Sequence, residues 1–467
     1  MTENKMGVEK VGKLIMAMGL PMILSMVLQA LYNVVDTMFV INMGEEGALG
    51  NLALSAAFPV QIMMIAIGVG SGVGINAMLS KNLGEGNKET VDKIAGNGIF
   101  LIAVFYAVFL LFGAFLSKPY MRLMSDNETV VEMGTEYLKI CCCISIGSIG
   151  FAVAERFLIA TGKTLFSMLS QVAGAITNIV LDYVFIYPLQ MGIAGAAYAT
   201  VIGQIVSFLL AMILHYATNK EIGGNPKYIK PEGGIIKNIY RIGFPAFLMQ
   251  GMLALMMFGV LLIIGTIDDV YTVNLLSGSY GIYYKLMQIA LFASFGLSNT
   301  LITVTSYNYG MGDGKRVTET IKYGVIDSVV VTAILTVLYQ AFAAPISELF
   351  ALTIEESSIV AKSDILETCR LALHIATIGY VFMGFSVAVQ GVLQGFNEVY
   401  SPLIISALRL IVLVLPIAFL FTLSFDVSAL IWWTFPIAEA VTAVVSYFLL
   451  KRSVKKNLGR GQSAPSV

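Results

Sequence analysis

Long apolar runs alternate with short polar breaks along the chain. Runs of roughly 20 residues, enough to cross a bilayer at about 1.5 Å rise per residue, fall near 14–43, 52–79, 97–117, 137–160, 164–188 and 192–216. Six more fall near 238–266, 276–304, 320–343, 369–394, 400–423 and 427–450. The pattern predicts an all-α, polytopic membrane protein of twelve transmembrane helices. Thr218 to Lys237, with Gly223-Gly224, Pro226, Pro231 and Gly233-Gly234, is the one sizeable hydrophilic break. It separates two six-helix lobes, 1–217 and 238–450, with an inter-lobe loop at 218–237 and a polar tail at 451–467. Met1 to Lys13 is short and polar, and the run after it is too long for the core of a cleavable leader, so it reads as the first span.

The two lobes repeat each other. Gly19-Leu20-Pro21 and Gly243-Phe244-Pro245 open the first and seventh spans, 224 residues apart. Ser80, Asn82, Gly84, Gly86 and Val91 recur as Ser306, Asn308, Gly310, Gly312 and Val317, each 226 later. An even number of spans per lobe runs both lobes the same way through the membrane. Such repeats are related by an axis along the membrane normal and commonly enclose a substrate path, which makes transport the leading reading.

Composition and charge sharpen this. Hydrophobic residues make up 57% of the 467 and charged ones 12%, about half the charge of a soluble domain. The net charge of −1 excludes a nucleic-acid binder, which needs a strongly basic face. Lysines and arginines set orientation: 21 lie on one set of loops and flanks, Arg156 among them, against Lys118, Arg122, Lys139, Lys362 and Arg370 on the other. Both termini are therefore expected in the cytoplasm of a multi-pass protein of a bacterial cell membrane. Cys141, Cys142, Cys143 and Cys369 sit in apolar runs without metal-ligand spacing and read as small buried residues.

Ionisable groups deep in a span are costly and mark candidate sites. Asp36 lies about 12 Å inside the outer end of the first span, Asp182 about 9 Å inside that of the fifth, and Thr200 about 12 Å inside that of the sixth. Asn178, at i−4, shares a face with Asp182. Oxygen groups from three spans thus fall at similar depth. They suit Na⁺, and two neighbouring carboxylates can share one proton and titrate as a unit. Alternatively, the acids merely accept bonds from nearby Asn and Thr. Asp36 corresponds to Val260 at the local offset, and Asp182 to Pro416 at an offset of 234 fixed by Phe166-Ser167 and Tyr400-Ser401, so the constellation belongs to the first lobe alone.

Other residues carry competing readings. Gln29 and Asn33 share a face with Asp36, and Gln171 with Asn178; they line a substrate cavity or bond between helices. Met252 and Met256, beside Met249 and Met257, offer an adaptable surface or ordinary packing. Pro21 and Pro245 loosen the backbone for gating or a static bend. Buried Arg409 and Glu439, in neighbouring spans, read as a structural ion pair. Gly68, Gly70, Gly72 and Gly74 read as close helix packing rather than a nucleotide loop. His215 and His374 have no partner at useful spacing. No phosphate loop, metal cluster or nucleophile motif argues for an enzyme. A membrane-embedded transferase would cluster carboxylates at the cytoplasmic face.

Taken together, Pro21 followed by Asp36, the Ser80–Gly86 segment with its copy at Ser306–Gly312, Asn178 with Asp182, and Thr200 resemble the multidrug and toxic compound extrusion (MATE) family. The resemblance runs from Leu14 to Lys451. It implies two lobes around a central cavity and export of organic cations and drugs in exchange for Na⁺ or H⁺ by alternating access. Its cation or proton site falls on Asp36, Asn178, Asp182 and Thr200, with no further cofactor and a monomer expected. Some branches place an acid in the seventh span, whereas none stands between Arg241 and Ile267 here; the pattern is more similar to DinF-like or MepA-like branches. A flippase for lipid-linked sugars of the same superfamily is the alternative, disfavoured because only Lys285 and Arg409 are buried cations.

Overall fold

The structure, a computed structural model, describes residues 4–43, 47–350, 359–424 and 426–459, without the side chains of Asn33, Val34, Thr37 and Phe350. The helices are α1 (Lys5–Val8), α2 (Val11–Ile41), α3 (Gly47–Gly84), α4 (Lys88–Leu111), α5 (Ser117–Met124), α6 (Glu128–Cys143), α7 (Ile146–Ala160), α8 (Thr164–Ile186) and α9 (Gly192–Thr218). They continue as α10 (Gly233–Ile264), α11 (Val270–Gly310), α12 (Gly314–Ala341), α13 (Ala343–Phe350), α14 (Lys362–Ala376) and α15 (Tyr380–Gly395). Last come α16 (Tyr400–Ala407), α17 (Val414–Thr422), α18 (Val427–Leu430) and α19 (Thr434–Leu458). The described residues contain no strand. Among them, 11 helical stretches are long and apolar enough to cross a membrane, and α6 with α7, bent by 43°, supplies a twelfth if that pair is one span. The chain is a multi-pass membrane protein.

Several helices start well before their apolar runs. Asn87 accepts a hydrogen bond from Thr90 N and opens α4, Asn127 caps α6, Asp269 caps α11 and Asp313 caps α12. A side-chain oxygen there satisfies N–H groups that a helix start leaves free. Hydropathy alone does not see such polar first turns, so α6 begins nine residues before the expected 137.

Compactness divides the chain into unit 1, residues 1–5 and 28–247, and unit 2, residues 6–27 and 248–467. The expected lobes assign each first helix whole, whereas here the starting part of each groups with the opposite bundle. Packing explains it. Val11 and Ile15 join Leu297, Leu301, Val317 and Val392 in one core of unit 2, and a Cβ on Gly19 would meet Leu297. In unit 1 a Cβ on Gly243 would meet the carbonyl of Gly70, and one on Gly74 the carbonyl of Ile239. The alternating glycines of α3 therefore serve two contacts: Gly70 and Gly74 admit α10, while Gly68 and Gly72 face Ala152 and Arg156 of α7.

The repeat holds to the level of single bonds. Gly86 and Gly312 sit at φ +72° and +75°, a conformation that suits glycine. Asn87 N donates to Asn82 O at 3.0 Å, as Asp313 N does to Asn308 O at 3.1 Å. Asn82 Nδ2 donates to Met78 O, and Asn308 Nδ2 to Val304 O, both at 2.8 Å. In the later turns, Lys163 N bonds Leu158 O as Glu398 N bonds Leu393 O. That offset is 235 rather than 234, so Ile417 is the local counterpart of Asp182, still without an acid.

One charge assignment changes. Arg156 is not a loop residue: it is buried in α7, 3.5 Å from the equally buried Glu155. The inter-lobe loop is tied to α4 of its own unit, with Gly223 N donating to Asp92 Oδ1 at 2.6 Å and Glu232 N to Asn97 Oδ1 at 2.8 Å.

Candidate functional site: buried oxygens in unit 1

Helices α8 and α9 pack backbone to backbone. A Cβ on Gly203 would stand 2.7 Å from Gly174 O and 3.0 Å from the Asn178 side chain. Near their ends Val40 of α2, Ile186 of α8 and Ala196 of α9 form one buried apolar cluster, with Phe39, Met43 and Leu54 against it. Each belongs to a helical i, i+4 pair with a polar residue: Val40 with Asp36, Ile186 with Asp182, Ala196 with Thr200. The three polar residues therefore lie one turn, about 5.4 Å, further into the same bundle. Since α2 ends at Ile41 and α8 at Ile186, the acids lie about 8 and 6 Å from their helix ends, shallower than the spans suggested.

Asp182 is fully buried and Asn178 is 3% exposed, while Asp36 and Thr200 are half-buried. Asp36 Oδ1, both Asp182 oxygens, both amide atoms of Asn178 and Thr200 Oγ1 are buried without a hydrogen-bond partner. Native interiors leave few such atoms, and each costs free energy, so several in one place mark a site shaped for something other than its own contacts. Neither Asn178 nor Thr200 donates a bond to either acid, while the side chains of Asn33 and Thr37, next along α2, lie outside the described residues. Asp36 and Asp182 lie within reach of each other's charge.

Two tyrosines belong here that the sequence reading missed. Tyr32 lies within electrostatic reach of both acids, and Tyr137 of α6 within reach of Asp36. Tyr137 Oη accepts from Gln61 Nε2 at 2.5 Å. The i−4 spacing of Tyr32 from Asp36 was the available signal. Gln29 and Gln171 are half-buried in unit 1. The Asn33 side chain lies outside the described residues. Pro21, inside α2, belongs to unit 2, as do half-buried Met252 and buried Met256.

Unit 2 holds a different pair. Arg409 Nε and Nη2 donate to Glu439 Oε1 at 3.1 and 2.7 Å, the ion pair expected of neighbouring spans. Asp327, midway along α12 with a buried, unpartnered Oδ2, was legible as a charge inside an apolar run and was passed over, as was Glu155. All four cysteines are free. Among the described residues no group of three His, Cys, Asp or Glu could hold a metal ion. Two carboxylates, an amide and a hydroxyl from three helices instead suit a hard monovalent cation or a proton, the ligand chemistry of oxygen sites.

A helical membrane protein with buried, unpartnered polar groups inside one bundle has the features of a membrane transporter. The family model MatE matches residues 21–184 and 245–420. The chain belongs to that family, a family of transporters rather than enzymes. It is 26% identical over 444 residues to the multidrug export protein MepA of Staphylococcus haemolyticus, spanning 94% of this chain and 93% of that one. It is 23% identical to MepA of Staphylococcus saprophyticus over 93% of this chain and 92% of the relative. The fold matches a solved outward-facing multidrug resistance MATE family transporter with a TM-score of 0.89 at 22% identity, over 98% of this chain and 99% of the other.

Proposed function

We propose that the protein is a multidrug exporter that expels organic cations and other drugs across the cell membrane in exchange for Na⁺ or H⁺. The observation that carries this reading is the set of unpartnered oxygens on Asp36, Asp182 and Thr200, with the Asn178 amide beside them. The names of the MepA relatives support the substrate class. The excess of Lys and Arg on one set of loops supports cytoplasmic termini, which would put the α2–α8–α9 site near the outer surface.

An ion arriving from outside satisfies the acids and favours one arrangement of α2. Pro21, which removes a backbone donor inside that helix, is the place where α2 would yield. Export follows if ion and drug prefer different states, since coupling is the difference of their affinities for the two. The protein acts as a monomer on small molecules. The test is reconstitution in liposomes with a fluorescent cationic dye under an imposed Na⁺ or pH gradient, with Asp36→Asn alongside. Dye movement under one gradient, lost in the variant, is expected and names the ion. Wild-type export by a correctly inserted Asp36→Asn protein would overturn the scheme.

A further inference from the structure

Three stretches of unit 2 depart from α geometry around Arg409 and Glu439. A 3₁₀ turn at Thr377–Gly379 precedes Tyr380 at the start of α15, a π-helical turn at Leu408–Val412 holds Arg409, and a 3₁₀ turn at Ile431–Trp433 leads into α19, which carries Glu439. Such backbone is tolerated at membrane depth where it is buried in protein or lines a cavity. Here Tyr283, Tyr380, Met383, Phe435 and the ion pair wall a cavity that leaves about 20 Å³ open to the centre of a water molecule. One water needs roughly 10–15 Å³ on that measure. The space therefore takes one water, at most two, and no organic group.

The residues around this space carry polar atoms that suit water. Both Arg409 bonds end on the same carboxylate oxygen, Glu439 Oε1. Arg409 Nη1 and Glu439 Oε2 are buried and have no partner, although the Arg409 side chain is only 2% exposed. Tyr380 Oη, on another helix of the wall, is buried and makes no hydrogen bond of ordinary geometry. That leaves a donor, an acceptor and a hydroxyl that can act as either, and a buried water typically makes about three hydrogen bonds. Charge narrows the choice. The pair is neutral, so Na⁺ would leave a net positive charge in this buried place and chloride a net negative one, each costly without a counter-ion. Water adds no charge and accepts and donates at once.

We propose that this cavity is a hydration site for one water molecule, which accepts from Arg409 Nη1, donates to Glu439 Oε2 and bonds the Tyr380 hydroxyl. The water ties α15, the π turn between α16 and α17, and α19 together through a single molecule. This goes beyond the export reading and does not depend on the Asp36 site. The test uses purified wild-type protein without drug or ion gradient, which keeps it separate from the transport test. X-ray pulses split water into hydroxyl radicals that oxidise the side chains beside it, so a buried side chain reacts where water is bound. Met383 and Tyr380 are each 2% exposed, and Met18, outside the wall, is 0% exposed. Met383 should oxidise faster than Met18 by about tenfold or more, and Tyr380 should be hydroxylated. A density map that shows ordered waters elsewhere should hold a peak about 2.5–3.2 Å from both Arg409 Nη1 and Glu439 Oε2. Arg409→Met with Glu439→Gln removes both charges together and should slow Met383 oxidation about tenfold, through the loss of two charged bonds to the water. The proposal is overturned if Met383 and Met18 react at one rate in folded wild type, or if such a map holds no peak there. It is equally overturned if the double variant keeps the wild-type melt and the wild-type rate at Met383.

Discussion

The two units of this transporter treat buried carboxylates in opposite ways. In unit 1, Asp36 and Asp182 stand within reach of each other's charge, with unpartnered oxygens and, among the described residues, no cationic side chain bonded to them. In unit 2, Glu439 is held by Arg409 at 2.7 Å. The scaffolds match down to the glycine turns, so the backbone is not the source of the difference. A buried ion pair neutralises its own charge, at the cost of desolvating both partners. Two acids within reach of each other's charge do not neutralise each other. The repeat therefore supplies a common frame, on which each unit carries a different arrangement of buried charge.

Breaking the pair should have the largest effect on stability. Arg409→Met alone leaves Glu439 buried without its partner and should cost about 3–5 kcal/mol, whereas the double change to Met and Gln should be close to neutral. Thermal melts in detergent give the cycle. If the single variant melts like wild type, Arg409 does not neutralise a buried Glu439 charge. Next comes ligand-linked stability in unit 1. At a coupling ion concentration of roughly 100 Kd, wild type should gain about 2.7 kcal/mol, and Asp182→Asn should lose that gain while its basal melt holds or rises. An undiminished ion-dependent shift in Asp182→Asn would remove this residue from the site.

The frame itself can be tested with smaller changes. Gly243→Ala places a methyl against the carbonyl of Gly70 and should cost about 1–3 kcal/mol. Gly251→Ala, with nothing within 4 Å of the added atom, should be neutral or slightly stabilising because Ala is the better helix former. A melt that fell equally in both would refute close packing as the reason for the first glycine. Smallest are the paired helix starts: Asn87→Ala and Asp313→Ala should each lose about 1 kcal/mol. Similar losses would confirm that the two turns are equivalent in energy as well as in geometry.

Much of this was legible from residue order. Long apolar runs announced the spans, and the Ser80–Gly86 segment announced its copy, because bilayer thickness and turn sterics act locally. Asp36, Asn178, Asp182 and Thr200 stood out because a polar group in an apolar run needs a reason. The tyrosines did not, since Tyr32 and Tyr137 gain meaning only from what lies across from them. Asp327 and Glu155 were equally visible, and only their surroundings show that one lacks a partner on a buried oxygen while the other has Arg156.

By itself the sequence determined that the chain crosses a membrane many times, that its halves repeat, and that acids sit where lipid or protein must hide them. Each follows from hydropathy and local backbone preference. Tertiary structure decided which bundle each first helix joins, because that depends on glycine contacts between segments far apart in the chain. It also decided that Asp36 Oδ1 and both Asp182 oxygens lack hydrogen-bond partners while Glu439 Oε1 has one. Pairing is a matter of distance and direction in space, and spacing along the chain does not fix either.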